Sequence, residues 1–346
     1  MQRRSILKAA SLLAGMNCAS WAREGIQSFE AILSQWDHDE HSDLRAVVVI
    51  RKGEIVAERY FNGETLATLH DVRSAGKSVT SLLVGAALNR GRIHSVLDTV
   101  ERYWPDAKNS AIGNVSLRDV LTMRSGLAAF DEQADSPGNE DRLDEARDPL
   151  AFTLSVPRAD APGTVYRYNS LTAYVAGLVI EKATGQRLAE FARSTLFNVL
   201  GIERWKWAID VAGHTKGQGN LFLTARDFAT IGQMVLNKGT HHGVRVLSAA
   251  WVSESLKPYV SISSSDPYAD AYGYFWYCKT HDIAGRRVAV SFASGNGGNK
   301  LYVVPSRQLV IAITSSAYGR GYGQRRSEAI LKALLRQDLE DSIGFK

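Results

Sequence analysis

The sequence predicts an α/β (α+β) fold: one antiparallel sheet built from both chain ends and flanked by helices, with a mainly helical lobe inserted between them. Two observations carry this. Apolar runs of strand length occur at residues 44–60 and return from 271 to 314. Between them, from Ser95 to about Ala250, helical spacing and loop composition prevail. Strands from the two ends complete one sheet only if the chain returns on itself. The chain has 346 residues, 45% apolar and 22% charged, which suits one large globular domain or two interleaved lobes.

Residues 1–22 carry the pattern of an export signal. Arg3, Arg4 and Lys8 make a basic start, Ala9 to Gly15 a short apolar core, and Ala19-Ser20-Trp21-Ala22 a small-residue end. Arg3-Arg4-Ser5-Ile6-Leu7-Lys8 resembles a twin-arginine signal, so a periplasmic or secreted location is expected. The apolar run is too short to cross a bilayer, and no stable membrane insertion is expected. Cys18 would suit a lipid anchor, but Met16-Asn17 before it is a poor match for one. Loss of Arg3, Arg4 and Lys8 lowers the net charge from +5 to +2. No basic cluster with interleaved aromatics remains, which argues against nucleic-acid binding. Cys278 is then the remaining cysteine of the two, so stability rests on the core rather than on an intramolecular disulfide.

The rest, 23–346, reads as one domain: an α/β lobe at about 40–94 and 250–346, and a helical lobe at about 95–249. Trp36-Asp37-His38-Asp39-Glu40-His41 opens it, a run that suits a metal or, more commonly, a solvated loop; no metal is assigned. Leu44–Ile50 and Glu54–Tyr60 around Gly53 read as a hairpin. In the stretch from Asp71 to Gly91, Val79, Leu82, Leu83, Ala86 and Ala87 recur at helical spacing, and Gly91 suits a left-handed helix end. This is a buried helix with Ser74 in its first turn and Lys77 one turn on. A lysine desolvated by such a helix can lose its charge and take a serine proton. The plainer reading is a Ser cap beside a solvated lysine, and Ser5-x-x-Lys8 shows that the spacing is cheap. Gly76-Lys77-Ser78 is not a phosphate loop, because Asp71 stands where its first glycine belongs.

Val115–Gly126 opens on a Ser cap signal and closes on Gly. Asp131–Asp148 is an acidic surface excursion of the kind that borders a site. Leu171–Ala183, closed by Gly185, and Ala225–Leu236 are amphipathic helices. Strands follow at Ala271–Cys278, Arg287–Ser294, Leu301–Val304 and Leu309–Thr314, the last two joined through Pro305–Gln308. A helix at about Gln324–Leu334 ends the series.

Two further segments carry chemistry. Tyr168-x-Ser170 follows a Pro162-Gly163 turn and precedes a helix; a phenol beside a lysine can ionise and pass a proton. A half-buried core tyrosine is the ordinary alternative, and Tyr259-x-Ser261 repeats the pattern. Ala293-Ser294-Gly295-Asn296-Gly297-Gly298-Asn299 lies between strands, where glycines let backbone N–H groups approach an oxyanion. Alone it also suits a Gly-rich hairpin turn.

Together and in this order, the three segments resemble the serine β-lactamase and penicillin-binding superfamily, in particular its class C-like branch of esterases, D-aminopeptidases and aminohexanoate-oligomer hydrolases. The likeness covers about residues 40–335 and includes Ser116–Gly126, Pro162–Gly185, Leu223–Asp227 and Gly295–Pro305. It implies a β-lactamase/transpeptidase-like fold with the site between two lobes and no organic or metal cofactor. It implies Ser74 as the acylated nucleophile, Lys77 as its proton acceptor and Tyr168 as the relay to the leaving group and later to water. The oxyanion hole would use the backbone N–H groups of Ser74 and Asn296. Ser170, Gly295 and Gly297 would face the substrate.

Two departures bear on substrate. Ser170 replaces the Asn usual in this branch's β-lactamases, and Ala293 replaces the lysine that begins their third motif. A charge-assisted contact to a substrate carboxylate is then missing unless another cation supplies it. The expectation is an exported serine hydrolase of small amide or ester substrates with weak or absent β-lactamase activity. A D-amino-acid peptidase or weak β-lactamase working near the cell wall is the enzymatic alternative. A non-catalytic sensor or scaffold of the same fold is the other. Without any Gly-x-Ser-x-Gly, an α/β-hydrolase is disfavoured.

Overall fold

A computed structural model of the chain describes residues 29–342. The expected export signal, with Cys18, lies outside the described residues. Among them, no helix is long and apolar enough to cross a membrane.

Eight strands form the main sheet: β1 (Leu44–Arg51), β2 (Glu54–Tyr60), β3 (Val260–Ser261), β4 (Ala271–Tyr272), β5 (Tyr277–Ile283), β6 (Arg286–Gly295), β7 (Asn299–Val304) and β8 (Leu309–Ser315). Their order is β2-β1-β8-β7-β6-β5-β4-β3. The two chain ends meet where β1 pairs antiparallel with β8, Val48 opposite Ala312. Every residue of β7 and β8 is buried, as suits central strands covered on both faces. Strand patterns at both ends of the sequence therefore do form one antiparallel sheet.

Four longer helices frame it: α1 (Gly76–Asn89), α2 (Ser170–Thr184), α3 (Ala225–Leu236) and α4 (Gly321–Asp341). Asn169 caps α2 by accepting from the Thr172 N–H, and Gly185, at φ 72°, ends it in the left-handed region. Thr224 caps α3 in the same way, accepting from Asp227 N–H. Helix α3 falls within the stretch assigned by sequence position to the helical lobe, yet it packs on β1, β7 and β8. Gly232 permits that approach, since a Cβ there would lie 2.6 Å from Val310 Cγ1.

Three local differences from the expectations have physical causes. The expected strand 271–278 is two strands, because Gly273 packs against the Ser255 and Lys257 carbonyls and Phe275 adopts φ 59°. A helical stretch at 29–34 precedes the first expected element and buries Phe29 and Leu33. The acidic run after Trp36 is spent on arginines: Asp37 pairs with Arg59 and Asp39 with Arg326, while His41 stacks on Tyr322 at 3.8 Å.

Candidate active site

The chain enters the site on a short strand, His70–Asp71, which pairs with Leu221–Leu223. Ser74 lies in a single 3₁₀ turn, Arg73–Ala75, that runs straight into α1. The hydroxyl thus sits just before the helix rather than within its first turn. Arg73 holds the turn at φ 52°, a conformation that costs a side-chain-bearing residue about 1–2 kcal/mol. The Asp71 carboxylate offsets this by accepting the Arg73 backbone N–H at 2.8 Å and the Asn220 side-chain amide at 3.1 Å. Across the turn, Arg73 lays its guanidinium over the Tyr318 ring at 4.1 Å.

Lys77 is 1% exposed. Its Nζ donates to Ser74 Oγ at 2.8 Å, Ser170 Oγ at 3.0 Å and the Gln218 carbonyl at 2.8 Å. Three acceptors match the three N–H groups of an ammonium. Burial works against that charge, but Tyr168, Glu140 and Asp131 outweigh it and hold Lys77 above the usual lysine range. The expectation of a lysine made neutral by burial considered the helix alone and omitted these partners. The Nζ also lies 5.1 Å from the centre of the Tyr168 ring.

These groups open onto a cleft of about 530 Å³ lined by Ser74, Tyr168, Ser294, Gly295 and Asn296, among others. Among the described residues, neither the Ser74 nor the Asn296 backbone N–H has a hydrogen-bond acceptor. The Asn296 side chain is fixed by accepting from the Gly319 N–H at 2.8 Å, and the Gly295 carbonyl accepts from Gln324. Two of the expected substrate-facing residues do not line the cleft. Ser170 is fully buried beneath it against Lys77. Gly297, at φ 87°, packs on Ala317 and Tyr318.

One wall is aromatic: Tyr166 meets Tyr272 edge-on, Tyr272 meets Tyr277, and Tyr277 stacks on Phe292 at 5.2 Å. Another comes from the acidic excursion, where Asp131, Glu132 and Glu140 reach the cleft. Burial pushes Asp131 up to about 6 despite the opposing pull of Lys77. Both its carboxylate oxygens are buried without a hydrogen-bond partner; Ser170 lies near enough to favour the ionised form without completing a bond. Sequence reasoning did not single out Asp131, nor Lys300, whose Nζ donates to Ser294 Oγ at 2.8 Å. The signal for Lys300 was the hairpin register: it stands directly opposite Ser294 on β7.

Residues 39–335 match the model of the Beta-lactamase family. A 6-aminohexanoate-dimer hydrolase of Paenarthrobacter ureafaciens is 29% identical over 229 residues, covering 63% of this chain. The match spans 58% of that relative's length. Among solved structures, a Bacillus anthracis protein provisionally assigned as a 6-aminohexanoate-dimer hydrolase superposes with TM-score 0.74 at 23% identity, over 89% of this chain and 81% of that one. EstCE1, a hydrolase with promiscuous acyltransferase activity, superposes with TM-score 0.72 at 13% identity, over 92% of this chain and all of that one. A family match over most of the chain, on a sheet-and-helix frame shared with these structures, settles the class: the chain belongs to the Beta-lactamase family and has the β-lactamase fold.

Proposed function

We propose that the protein cleaves an amide or ester bond through an acyl-enzyme on Ser74. The observation that carries this is the 2.8 Å contact between Lys77 Nζ and Ser74 Oγ, made by a lysine that is 1% exposed. Ser74 Oγ attacks the substrate carbonyl, and its proton passes to the Lys77–Tyr168 pair. With Lys77 held as an ammonium, Tyr168 is the member of the pair that accepts, and Lys77 stabilises the attacking oxygen. The free N–H groups of Ser74 and Asn296 receive the oxyanion. As the carbonyl re-forms, the bond to the leaving group breaks and Tyr168 returns the proton to that group. Water then attacks the acyl carbonyl, gives a proton to the same pair, and Ser74 departs with it.

Ser170 and Gln218 act as positioning residues, holding Nζ where Ser74 needs it. Ala293 supplies no cation at the start of the third motif, which supports β-lactam turnover being weak or absent. The leader pattern at 1–22 supports export to the periplasm or beyond, a reading checked by the N-terminal sequence of the mature protein. Intact-mass analysis after fluorophosphonate treatment tests the nucleophile. A single adduct on wild type and none on Ser74→Ala is expected. Equal labelling of both proteins, or no Ser74-dependent esterase or amidase turnover, overturns the proposal.

A further inference from the structure

The peptide that joins Gly295 to Asn296 is held at one end and open at the other. Its N–H is one of the two groups offered to the oxyanion, and no described residue accepts from it. Its carbonyl points the opposite way, since no peptide among the described residues is cis. There it accepts from Gln324 Nε2 at 2.9 Å and, within the turn, from the Gly298 N–H at a longer 3.3 Å. Gln324 stands near the start of α4 and lines the cleft that contains Ser74.

Backbone contacts set the reach of Gln324. A Cβ on Gly298 would lie 2.3 Å from the Gly323 carbonyl oxygen, and one on Gly323 would lie 2.4 Å from that of Gly297. The head of α4 thus packs directly on the turn between β6 and β7, and Ser327 Oγ donates to the Gly298 carbonyl at 2.6 Å. Asn299, fully buried, fixes the other side: its Nδ2 donates to the Asn296 carbonyl at 2.8 Å and to the Ser315 carbonyl at 2.9 Å. Gln324 Oε1, by contrast, is buried without a partner among the described residues. A buried amide with an unpaired oxygen is less favourable than an apolar side chain of similar length, so packing alone does not account for it. The Nε2 donor is what the position uses.

We propose that Gln324 is a positioning residue for the oxyanion hole, acting through the Gly295 carbonyl on the Asn296 N–H. This rests on the hydrolase reading above and deepens it. Two effects run through the one bond. The donor fixes the peptide plane, so the N–H stays aimed into the cleft before any substrate arrives. Gly297 at φ 87° and Gly298 at φ 91° would otherwise leave that plane free to turn. The donor also draws electron density toward the carbonyl oxygen and leaves the N–H more positive, as along any chain of hydrogen bonds. Both effects count most when the substrate oxygen carries a full negative charge, in the tetrahedral intermediates of acylation and deacylation. Binding of the uncharged ground state gains little.

The test compares wild type with Gln324→Met and Gln324→Glu on a chromogenic ester and on its thiono counterpart, in which sulfur replaces the carbonyl oxygen. Sulfur accepts hydrogen bonds weakly, so the oxo-over-thiono ratio of kcat/KM reports the oxyanion contacts. Thermal melting confirms that each variant is folded. Gln324→Met, similar in length but without a donor, should lower kcat for the oxo ester by about tenfold with KM within about twofold. That is less than the hundredfold or more lost when an oxyanion donor is itself removed. The oxo-over-thiono ratio should shrink by a similar factor. Gln324→Glu restores the bond conditionally: its acid form donates to the Gly295 carbonyl, whereas its carboxylate repels it. Measured against wild type at the same pH, its kcat should be close at about pH 5 and about tenfold lower at about pH 8; it serves alone if Gln324→Met fails to fold. Wild-type kcat in Gln324→Met, an unchanged oxo-over-thiono ratio, or an equal loss at both pH values in Gln324→Glu overturns the role while Ser74-dependent turnover leaves the hydrolase standing. Turnover that survives Ser74→Ala overturns the hydrolase reading and this role with it.

Discussion

The Cβ that Gly295 lacks would lie 2.1 Å from the carbonyl oxygen of Val72. The end of β6 and the turn that carries Ser74 are thus in backbone contact, and the third motif sets the position of the first. Gly295→Ala must push β6 away from the turn. Activity should fall by about a hundredfold or more, since a shift near 1 Å at the reacting atoms costs that much. Chemical denaturation should report about 1–3 kcal/mol less stability, as expected of overpacking. A variant with wild-type kcat would show that this contact does not set the geometry.

Ser170 Oγ takes one of the three Lys77 donors without lining the cleft. Ser170→Ala should therefore lower kcat by about tenfold to a hundredfold while KM stays within about twofold. Ser170→Thr, which restores an acceptor, should recover part of the loss. A rise in KM with kcat unchanged would place Ser170 in contact with substrate instead.

Tyr168→Phe keeps the ring that faces Lys77 and removes the hydroxyl. Its kcat should fall by about two to four orders of magnitude, the usual worth of a proton relay. Melting temperature should barely move, because Tyr168 is only half-buried at the cleft. Stopped-flow with a chromogenic ester separates the two steps; loss in both acylation and deacylation is expected. Full activity would remove Tyr168 from the mechanism.

Asp131 is raised from 3.8 to about 6 by burial. Between those values the folded protein holds a proton that the unfolded chain has released. Stability is therefore lost as pH rises through this window and stays lost above it. Asp131→Asn removes the titration. Its melting temperature should exceed wild type at pH 7.5, by on the order of 2 kcal/mol in stability, and match it at pH 3.5. A pH-independent difference would show that the effect is packing rather than charge.

Residues close in sequence were legible from it. Ser74 and Lys77 lie one helical turn apart, and the apolar spacing from Val79 onward placed that turn at the head of a buried helix. The hairpin at 44–60 and the final strands followed from alternation and turn residues. What escaped depends on contacts across the fold. The charge on Lys77 reflects Tyr168, Glu140 and Asp131, which belong to other elements. The burial of Asp131 inside an acidic stretch cannot be read from composition, which points such a stretch outward. Lys300 became visible once the register fixed it opposite Ser294. The break near Gly273 is set by the Ser255 and Lys257 carbonyls packed against it, not by its neighbours in sequence.

The pairing of β1 with β8 also has a temporal consequence. Val48 waits for Ala312, and β6, which seats the Ser74 turn, is itself held to β8 through β7. At ribosomal speeds of about 5–20 residues per second, the Ser74 segment emerges on the order of ten seconds or more before its partners exist. During synthesis Ser74 and Lys77 are present without that setting, so a prematurely terminated chain lacking β8 would carry both residues and is expected to show no turnover.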